Sequence, residues 1–432
     1  MFYNLTRFLN SPYSDKLPPQ VHNELQHLVK VFPFKVSRYV LDELIDWDNF
    51  KEDPIYRLVF PSKDMLSEEH WQLLKSAKST MEEKEVITKI RRQLNPHPAN
   101  QKHNIPRIGD RVFGGIQHKY VETVLFFPAQ GQTCHSYCTY CFRWAQFVNL
   151  DEHKFKSKDH KDLFDYLKHF KTVTDILFTG GDPMFMNNAT LFSYLDIICK
   201  PELDHVNNIR IGSKALAFYP DRFLGEEGDA FLNGIDKIIR KGKNVTLMAH
   251  FSHPRELSTD KVKEAIRRLR DAGVVIRTQA PLIRGINDSA EIWSDMWKQS
   301  VQLGMIPYYM FVERDTGAHE YFSVPLARAY RIFTEAYSQV SGLAKTVRGP
   351  SMSASPGKVL ISGITRVAGE KKFILKFIQA RNPELINKPF FASFDEEAIW
   401  LTDLEIDSPM KEKLENQPVD FEEDEMKIDE VA

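Results

Sequence analysis

Cysteine is scarce in this chain. Only four of its 432 residues are Cys, too few to staple a protein of this size, so a disulfide framework is excluded. An excess of charge of either sign is also missing. With 57 Lys and Arg against 59 Asp and Glu the formal net charge is -2, and nothing in that balance calls for a nucleic-acid partner or a membrane surface. Apolar runs stay short, and none approaches the ~18 residues of a membrane span. The opening MFYNLTRFLNSPYSD lacks the basic patch, apolar run and small-residue cleavage site of a secretory signal, so the expected location is cytoplasmic. A hydrophobic content of 42% and a charged content of 27% are those of a soluble globular protein with a large core. The length allows about three units of ~150 residues, or one α/β barrel of ~200–250 with flanking regions.

The chain changes rhythm near residue 119. Before it, SEEHWQLLKSAKSTMEEKEVITKIRRQL (Ser67–Leu94) carries apolar residues at helical spacing, and Asn95–Gly115, rich in Pro, Gly, His and Asn, reads as a loop. After it, short β-prone runs alternate with amphipathic helical stretches. The runs are Thr123–Ala129, Asp175–Pro183, Ile209–Ser213, Val245–Phe251, Val274–Pro281 and Pro307–Val312. Six strand–helix units in succession predict an α/β fold, a parallel sheet covered by helices and wound by right-handed crossovers. The expected organisation is a helical N-terminal region over 1–118, a (βα)6 partial barrel over 119–345, and an irregular C-terminal region over 346–432. That last region ends in an acidic, solvated tail (420–430). In parallel α/β folds chemistry gathers at the carboxyl ends of strands. Gly180-Gly181-Asp182, Gly212-Ser213, His250, Gln279 and Glu313-Arg314 all fall at such ends.

Three of the four cysteines, Cys134, Cys138 and Cys141, lie within eight residues just after the first strand. Thiolates are the soft ligands of iron–sulfur clusters and zinc. Structural zinc is normally closed by a fourth Cys or His and uses separated C-x2-C pairs. The C-x3-C-x2-C spacing instead suits a four-iron cluster with one iron left open. His135 reads as a spacer within the loop, and Cys199 as a buried helical thiol. A non-catalytic iron–sulfur carrier or redox sensor and a zinc-stabilised scaffold are the competing classes.

C-x3-C-x-aromatic-C, with Tyr140 as the aromatic, resembles the signature of the radical S-adenosylmethionine (SAM) enzymes. That resemblance implies a [4Fe–4S] cluster whose open iron chelates the amine and carboxylate of SAM. It also implies a one-electron donor such as flavodoxin or ferredoxin, cleavage to a 5′-deoxyadenosyl radical, hydrogen abstraction from a small-molecule substrate, and a partial parallel (βα) barrel. KYVETVLFF, CTYCFRW, FTGGDPM, IRIGSKALAFYPDRF, AHFSHPRELS, GVVIRTQAPLIRGIND and IPYYMFVERDTGAHEYFSVP, within a span from about Asp53 to Gly363, are similar to lysine 2,3-aminomutase and its relatives. Those relatives add pyridoxal phosphate (PLP), through which an amine migrates from the α to the β carbon, and they form homo-oligomers.

The resemblance assigns expectations residue by residue. Gly180, Gly181 and Asp182 match the segment that contacts the methionine amine. Ser213, His250 and Gln279 match positions near SAM. Arg143 matches the arginine that pairs with the substrate α-carboxylate, and a guanidinium fork suits that task. Lys358 takes the place of the coenzyme lysine, and Tyr120 and Tyr308 match tyrosines near the coenzyme. The departures are informative. Ser353-Ala354-Ser355-Pro356-Gly357 replaces a run of glycines before Lys358, Lys214 stands for an arginine near the coenzyme phosphate, and Phe311 stands for a third tyrosine. Of the two aspartates that hold a lysine substrate's distal ammonium, one position is Arg314 and the other falls near Ser351. A cation there disfavours free lysine and favours an anionic or neutral side chain. The expected reaction is a PLP-dependent 2,3-amino shift, and a coenzyme-free relative with other radical chemistry is the alternative.

Overall fold

The computed structural model describes residues 1–95, 98–148, 150, 155–408 and 410–415; the acidic tail expected at 420–430 lies outside them. One mixed sheet of eleven strands organises the chain. Its strands are β1 (Ile116–Tyr120), β2 (Thr123–Phe126), β3 (Asp175–Phe178), β4 (Asn208–Ser213), β5 (Asn244–His250) and β6 (Val275–Leu282), followed by β7 (Ile306–Val312), β8 (Arg348–Ser353), β9 (Gly357–Val367), β10 (Glu370–Ala380) and β11 (Pro389–Ser393). They lie side by side in chain order. That is the order of a barrel wall; a doubly wound sheet reverses direction part-way.

All six expected strands form, and the parallel run is one longer, because β8 pairs in parallel with β7. β1 adds antiparallel at one edge and β9–β11 add an antiparallel meander at the other. The C-terminal region is therefore regular where an irregular extension was expected, and the sheet continues without a break across residue 346. The alternation that makes β9–β11 is visible in the burial of every second residue, with Val359, Ile361, Phe373, Leu375, Phe377 and Ala392 in a separate core. Its interruption by Lys and Gln on the other face hides it from a search for continuous apolar runs.

The crossover helices are α1 (His160–His169), α2 (Asn188–Ile198), α3 (Gly225–Arg240), α4 (Asp260–Asp271), α5 (Ala290–Gln302) and α6 (Leu326–Ser338). Each has one apolar stripe. In α4, Val262, Ala265, Ile266 and Leu269 are buried and Thr259 caps the Val262 amide, which is the i, i+3, i+4, i+7 pattern of a helix on a sheet. Burying each such aliphatic side chain is worth about 1.5–3 kcal/mol. On the strands the residues between the core-facing ones point into the barrel lumen. Asp175, Arg210, Arg277 and Gln279 occupy those positions and keep partial exposure.

The N-terminal region is helical as expected, although Ser67–Leu94 breaks into Glu68–Ser76 and Thr80–Gln93, each started by a serine cap (Ser67 and Ser79). Its apolar residues share one core with the barrel. Asp53 pins the two together. Its buried carboxylate caps Tyr56 (2.7 Å), accepts from Asp46 N (3.0 Å) and pairs with Arg255, at the far end of β5. Arg255→Met would leave that carboxylate buried without its counter-ion. A loss of about 3 kcal/mol, read by urea unfolding, is the expected outcome.

Candidate functional site

The cysteine loop leaves β2 and is clamped on both sides. From the N-terminal region, Tyr137 N donates to Lys35 O (2.9 Å), Ser37 N to Ser136 Oγ (2.9 Å) and Thr139 N to Leu58 O (2.9 Å). Lys35 Nζ donates to Cys134 O (3.0 Å). From the barrel side, the β3 end packs against the loop's first residues. A Cβ on Gly181 would stand 2.4 Å from Thr133 N, and one on Gly180, at φ +128°, would stand 2.1 Å from the Gln132 side chain. The glycine pair is thus required by contact with the loop that carries the cysteines. Close approach to a ligand was the expected reason.

Asp182 joins the strand ends. Its carboxylate caps Met184 N (2.9 Å), accepts from Ser213 Oγ (2.7 Å) and Lys214 N (3.0 Å), and lies 3.6 Å from His135 Nδ1. Burial opposes its charge, but these donors, His135 first, hold its pKa below the usual carboxylate value. The carboxylate is fully occupied, so Asp182 and Ser213 position the β3 and β4 ends. His135, expected as a spacer, is buried and stacked on Tyr219 at 5.0 Å.

His250 and Gln279 meet. Gln279 Nε2 donates to His250 Nε2 (2.8 Å), which requires a neutral ring with its proton on Nδ1. Burial, and then the charge of Lys214, lower the His250 pKa to about 4. Lys214 does not face the lumen. It pairs with Glu256, whose side chain is fully buried, at 2.8 Å and donates to Ser252 Oγ (3.1 Å), which also contacts Tyr140 OH (3.0 Å). His253 caps Arg255 N (3.2 Å), and Cys199 is the half-buried C-cap of α2.

Cations line the lumen. The Arg143 guanidinium is buried over Phe127 (4.5 Å) and Phe142 (4.8 Å), touches Gln101 Oε1 at 3.5 Å, and has no ion-pair partner among the described residues. Burial lowers its pKa to about 9. Arg314 lies over the same Phe142 (5.1 Å), near Trp400 (5.9 Å), with Asp315 at 3.9 Å. Glu313 is buried with neither oxygen hydrogen-bonded, and burial holds its pKa well above the carboxylate range, so it does not neutralise Arg314. Lys358 enters from β9 with Nζ 4.2 Å above Tyr309 and 5.5 Å from Phe311. Burial, then Arg210, Arg348 and Arg314, lower its pKa to about 7. Tyr120 lies close enough to feel Arg381 and Arg314, and burial pushes its phenol up. Tyr308 stands between Arg277 and Arg348. Arg277 and Arg210 share strand faces with Gln279 and Gly212, a signal that alternation could have exposed. Arg348 and Tyr309 could not be found that way, the first being on the unexpected β8 and the second following a register shift at Tyr308.

Three half-buried thiols on one loop are a donor set for soft metal. Burial, Asp182 and the other two sulfurs raise the Cys134 pKa against the pull of Lys35, so a bound cationic centre would relieve a repulsion the loop itself creates. No three His, Cys, Asp or Glu among the described residues stand where they could hold a single metal ion, so the thiols suit a multi-iron cluster, which takes one thiolate per iron. The residues fit a cluster, and Lys358 with its lowered pKa fits an aldehyde coenzyme. The sequence profile of the Radical SAM superfamily matches residues 131–293. A protein of Aquifex aeolicus, provisionally named an L-lysine 2,3-aminomutase, is 29% identical over 403 residues, 92% of this chain and 95% of its own. L-lysine 2,3-aminomutase of Methanococcus maripaludis is 26% identical over 340 residues, 79% of this chain and 68% of its own. Glutamate 2,3-aminomutase of Clostridioides difficile is 29% identical over 213 residues, 49% of this chain and 47% of its own.

The chain carries a radical SAM domain over residues 131–293 and is similar over most of its length to lysine 2,3-aminomutases. Its cofactors are a [4Fe–4S] cluster and SAM, with PLP in the aminomutase relatives. As a radical SAM enzyme it uses a small-molecule substrate and an electron donor, and no helix among the described residues is long and apolar enough to cross a membrane.

Cys134→Ala, Cys138→Ala and Cys141→Ala are each expected to lose most bound iron and sulfide after anaerobic reconstitution, and Cys199→Ala to keep it; chemical iron and sulfide assays decide. A second expectation concerns pH. Only the neutral amine of Lys358 is nucleophilic, so borohydride trapping of PLP on that residue should fail below pH 6 and rise through about 7, far below the 10.5 of an ordinary lysine. Mass mapping of the trapped peptide across pH measures it.

Proposed function

We propose that this protein is a PLP-dependent radical SAM 2,3-aminomutase acting on an amino acid whose side chain is not cationic, with an acidic amino acid the best fit. The observation that carries the reading is Lys358, with its lowered pKa, over Tyr309 in the same lumen as the unpaired guanidinium of Arg143 and that of Arg314, whose nearest acid, Asp315, stands 3.9 Å away.

In this reading Cys134, Cys138 and Cys141 hold the cluster. Gly180, Gly181 and Asp182 brace the loop against the strand ends, where Ser213, His250 and Gln279 border SAM. Arg143 receives the substrate α-carboxylate, since a buried guanidinium without an acid is stabilised by a carboxylate that fills its fork. Lys358 holds the coenzyme, with Tyr120 and Tyr308 beside it. When bound, the cluster with SAM supplies a hydrogen-abstracting radical and the coenzyme an electron-accepting imine for the migrating nitrogen. Arg314 faces the substrate side chain. An ammonium there would add like-charge repulsion to desolvation, several kcal/mol in all. A carboxylate would complete a charge-assisted pair. The reaction is read as proceeding in the cytoplasm, in a homo-oligomer, with flavodoxin or ferredoxin as the one-electron donor.

The test is anaerobic turnover with dithionite and SAM against glutamate, aspartate, a neutral amino acid and lysine. Acidic substrates should give the β-amino product, and Arg314→Gln should raise their KM by about 10–100-fold, the value of a charge-assisted bond. Lysine turning over best would refute the substrate assignment. A reconstituted protein that takes up no PLP would refute the coenzyme part.

A further inference from the structure

The lumen holds a cluster of cations that neither the cysteine signature nor the strand ends mark. At β7 the pairing with β6 jumps from Thr278↔Pro307 to Gln279↔Tyr309, so Tyr308 is an extra residue in the strand. Such a bulge re-aims a side chain that regular alternation would send outward. Here it brings two consecutive tyrosines together, ring centroids 4.4 Å apart. Arg277 of β6 lies 4.8 Å from the Tyr308 ring, and Arg348 of β8 lies 4.3 Å from Tyr308 and 4.4 Å from Tyr309. Tyr309 also carries Lys358 at 4.2 Å. Three cations thus share two adjoining aromatic rings.

No acid answers them. Asp175, the carboxylate on the neighbouring lumen positions, is taken by Arg210 at 2.6 Å. The Arg277 and Arg348 side chains make no hydrogen bond or ion pair among the described residues; their contacts are the ring faces. A ring face offers no acceptor to the N–H groups in the guanidinium plane, so both forks remain open at their edges. Both residues keep partial exposure, as do Tyr308 and Lys358. Lys214, which stands where relatives carry an arginine near the coenzyme phosphate, is turned away to Glu256 and Ser252.

We infer that Arg277 and Arg348, splayed on Tyr308 by the β7 bulge, form a subsite for a phosphate monoester. Two rigid forks meeting a dianion give the planar, bidentate recognition for which arginine is suited. The phosphate has two sources, the coenzyme held at Lys358 or a phosphorylated substrate. Only the choice of source rests on the aminomutase reading; the subsite stands on its own residues.

The experiment uses the full chain and three probes: PLP, pyridoxal lacking the phosphate, and inorganic phosphate. Fluorescence follows the first two and 31P line broadening the third, in the natural protein and in R277Q, R348Q, R277K and R348K, with iron content and thermal midpoint as folding controls. Each Gln variant should weaken PLP by about 10-fold or more and leave pyridoxal within about twofold, inorganic phosphate should compete, and each Lys variant should recover part of the loss. That pattern assigns the coenzyme's phosphate. If the natural protein ignores PLP and pyridoxal but binds inorganic phosphate and loses it in both Gln variants, the subsite holds and the phosphorylated substrate is its source, while the coenzyme reading fails. The inference is overturned if PLP and pyridoxal weaken together, if inorganic phosphate does not bind, or if Lys and Gln variants lower the thermal midpoint alike without discriminating the probes.

Discussion

A surplus of buried positive charge sets the terms for this fold. Arg143, Arg314, Lys119, Lys358, Arg277 and Arg348 turn into one lumen, against Asp175, which Arg210 already occupies, and Asp315, which is too far from Arg314 for a hydrogen bond. Desolvating a charge costs several kcal/mol unless it is paired, and the pKa values of Lys119, Lys358, Arg143 and Arg314 all fall as a result. A chain that keeps such an arrangement gains from anions that arrive from outside. The aromatic faces of Phe127, Phe142, Tyr308 and Tyr309 hold the guanidiniums in place meanwhile, at a fraction of the strength of a carboxylate.

The additions to the parallel core make sense as walls for that lumen. Lys119 on β1 donates to Ala354 O in the turn before β9, and Arg381, after β10, donates to Ser355 O (3.2 Å) and to Asn104 Oδ1. These bonds bring the first and last parts of the sheet together across the side that the seven parallel strands leave open. The hairpin β8–β9 also answers the loss of glycines before Lys358. Its short Ala354–Pro356 turn lets the lysine be carried on a strand, paired with Ser353 and Gln379, which fixes its direction more firmly than a glycine loop would.

The parts of this architecture legible in the sequence are those that obey a local period. The six strands of the core and the residues that end them follow from two-residue alternation, turn residues and helical stripes, and the cysteine loop follows from ligand chemistry and spacing. Partnerships across distance do not. That Gly180 and Gly181 serve the cysteine loop is decided by Gln132 and Thr133, some fifty residues earlier. That Lys214 faces Glu256 is decided by where β5 ends. Arg348 escaped because β8, with Gly349 and Pro350 inside it, does not have the continuous β-prone run of the other strands, and Tyr309 because a bulge breaks the period on which the reading relies.

Charge also differs between the strand ends around Asp182, His250 and Gln279 and the part of the lumen lined by guanidiniums. SAM is a sulfonium and would be repelled by the guanidiniums of the lumen. At the strand ends that face the cysteine loop the side chains are instead neutral or anionic: Asp182 ionised and saturated with donors, Gln279 neutral, His250 held neutral by burial and by Lys214. Lys214, whose charge reaches His250, has a fully buried counter-ion in Glu256 at 2.8 Å. The Lys214–Glu256 pair thus does two things that neither residue does alone. It ties the β4 and β5 ends to Tyr140 of the cysteine loop through Ser252, and it commits the Lys214 ammonium to a buried carboxylate. With Lys214 committed to Glu256, the cations left without an acid among the described residues include those on β6 and β8, over the Tyr308 ring.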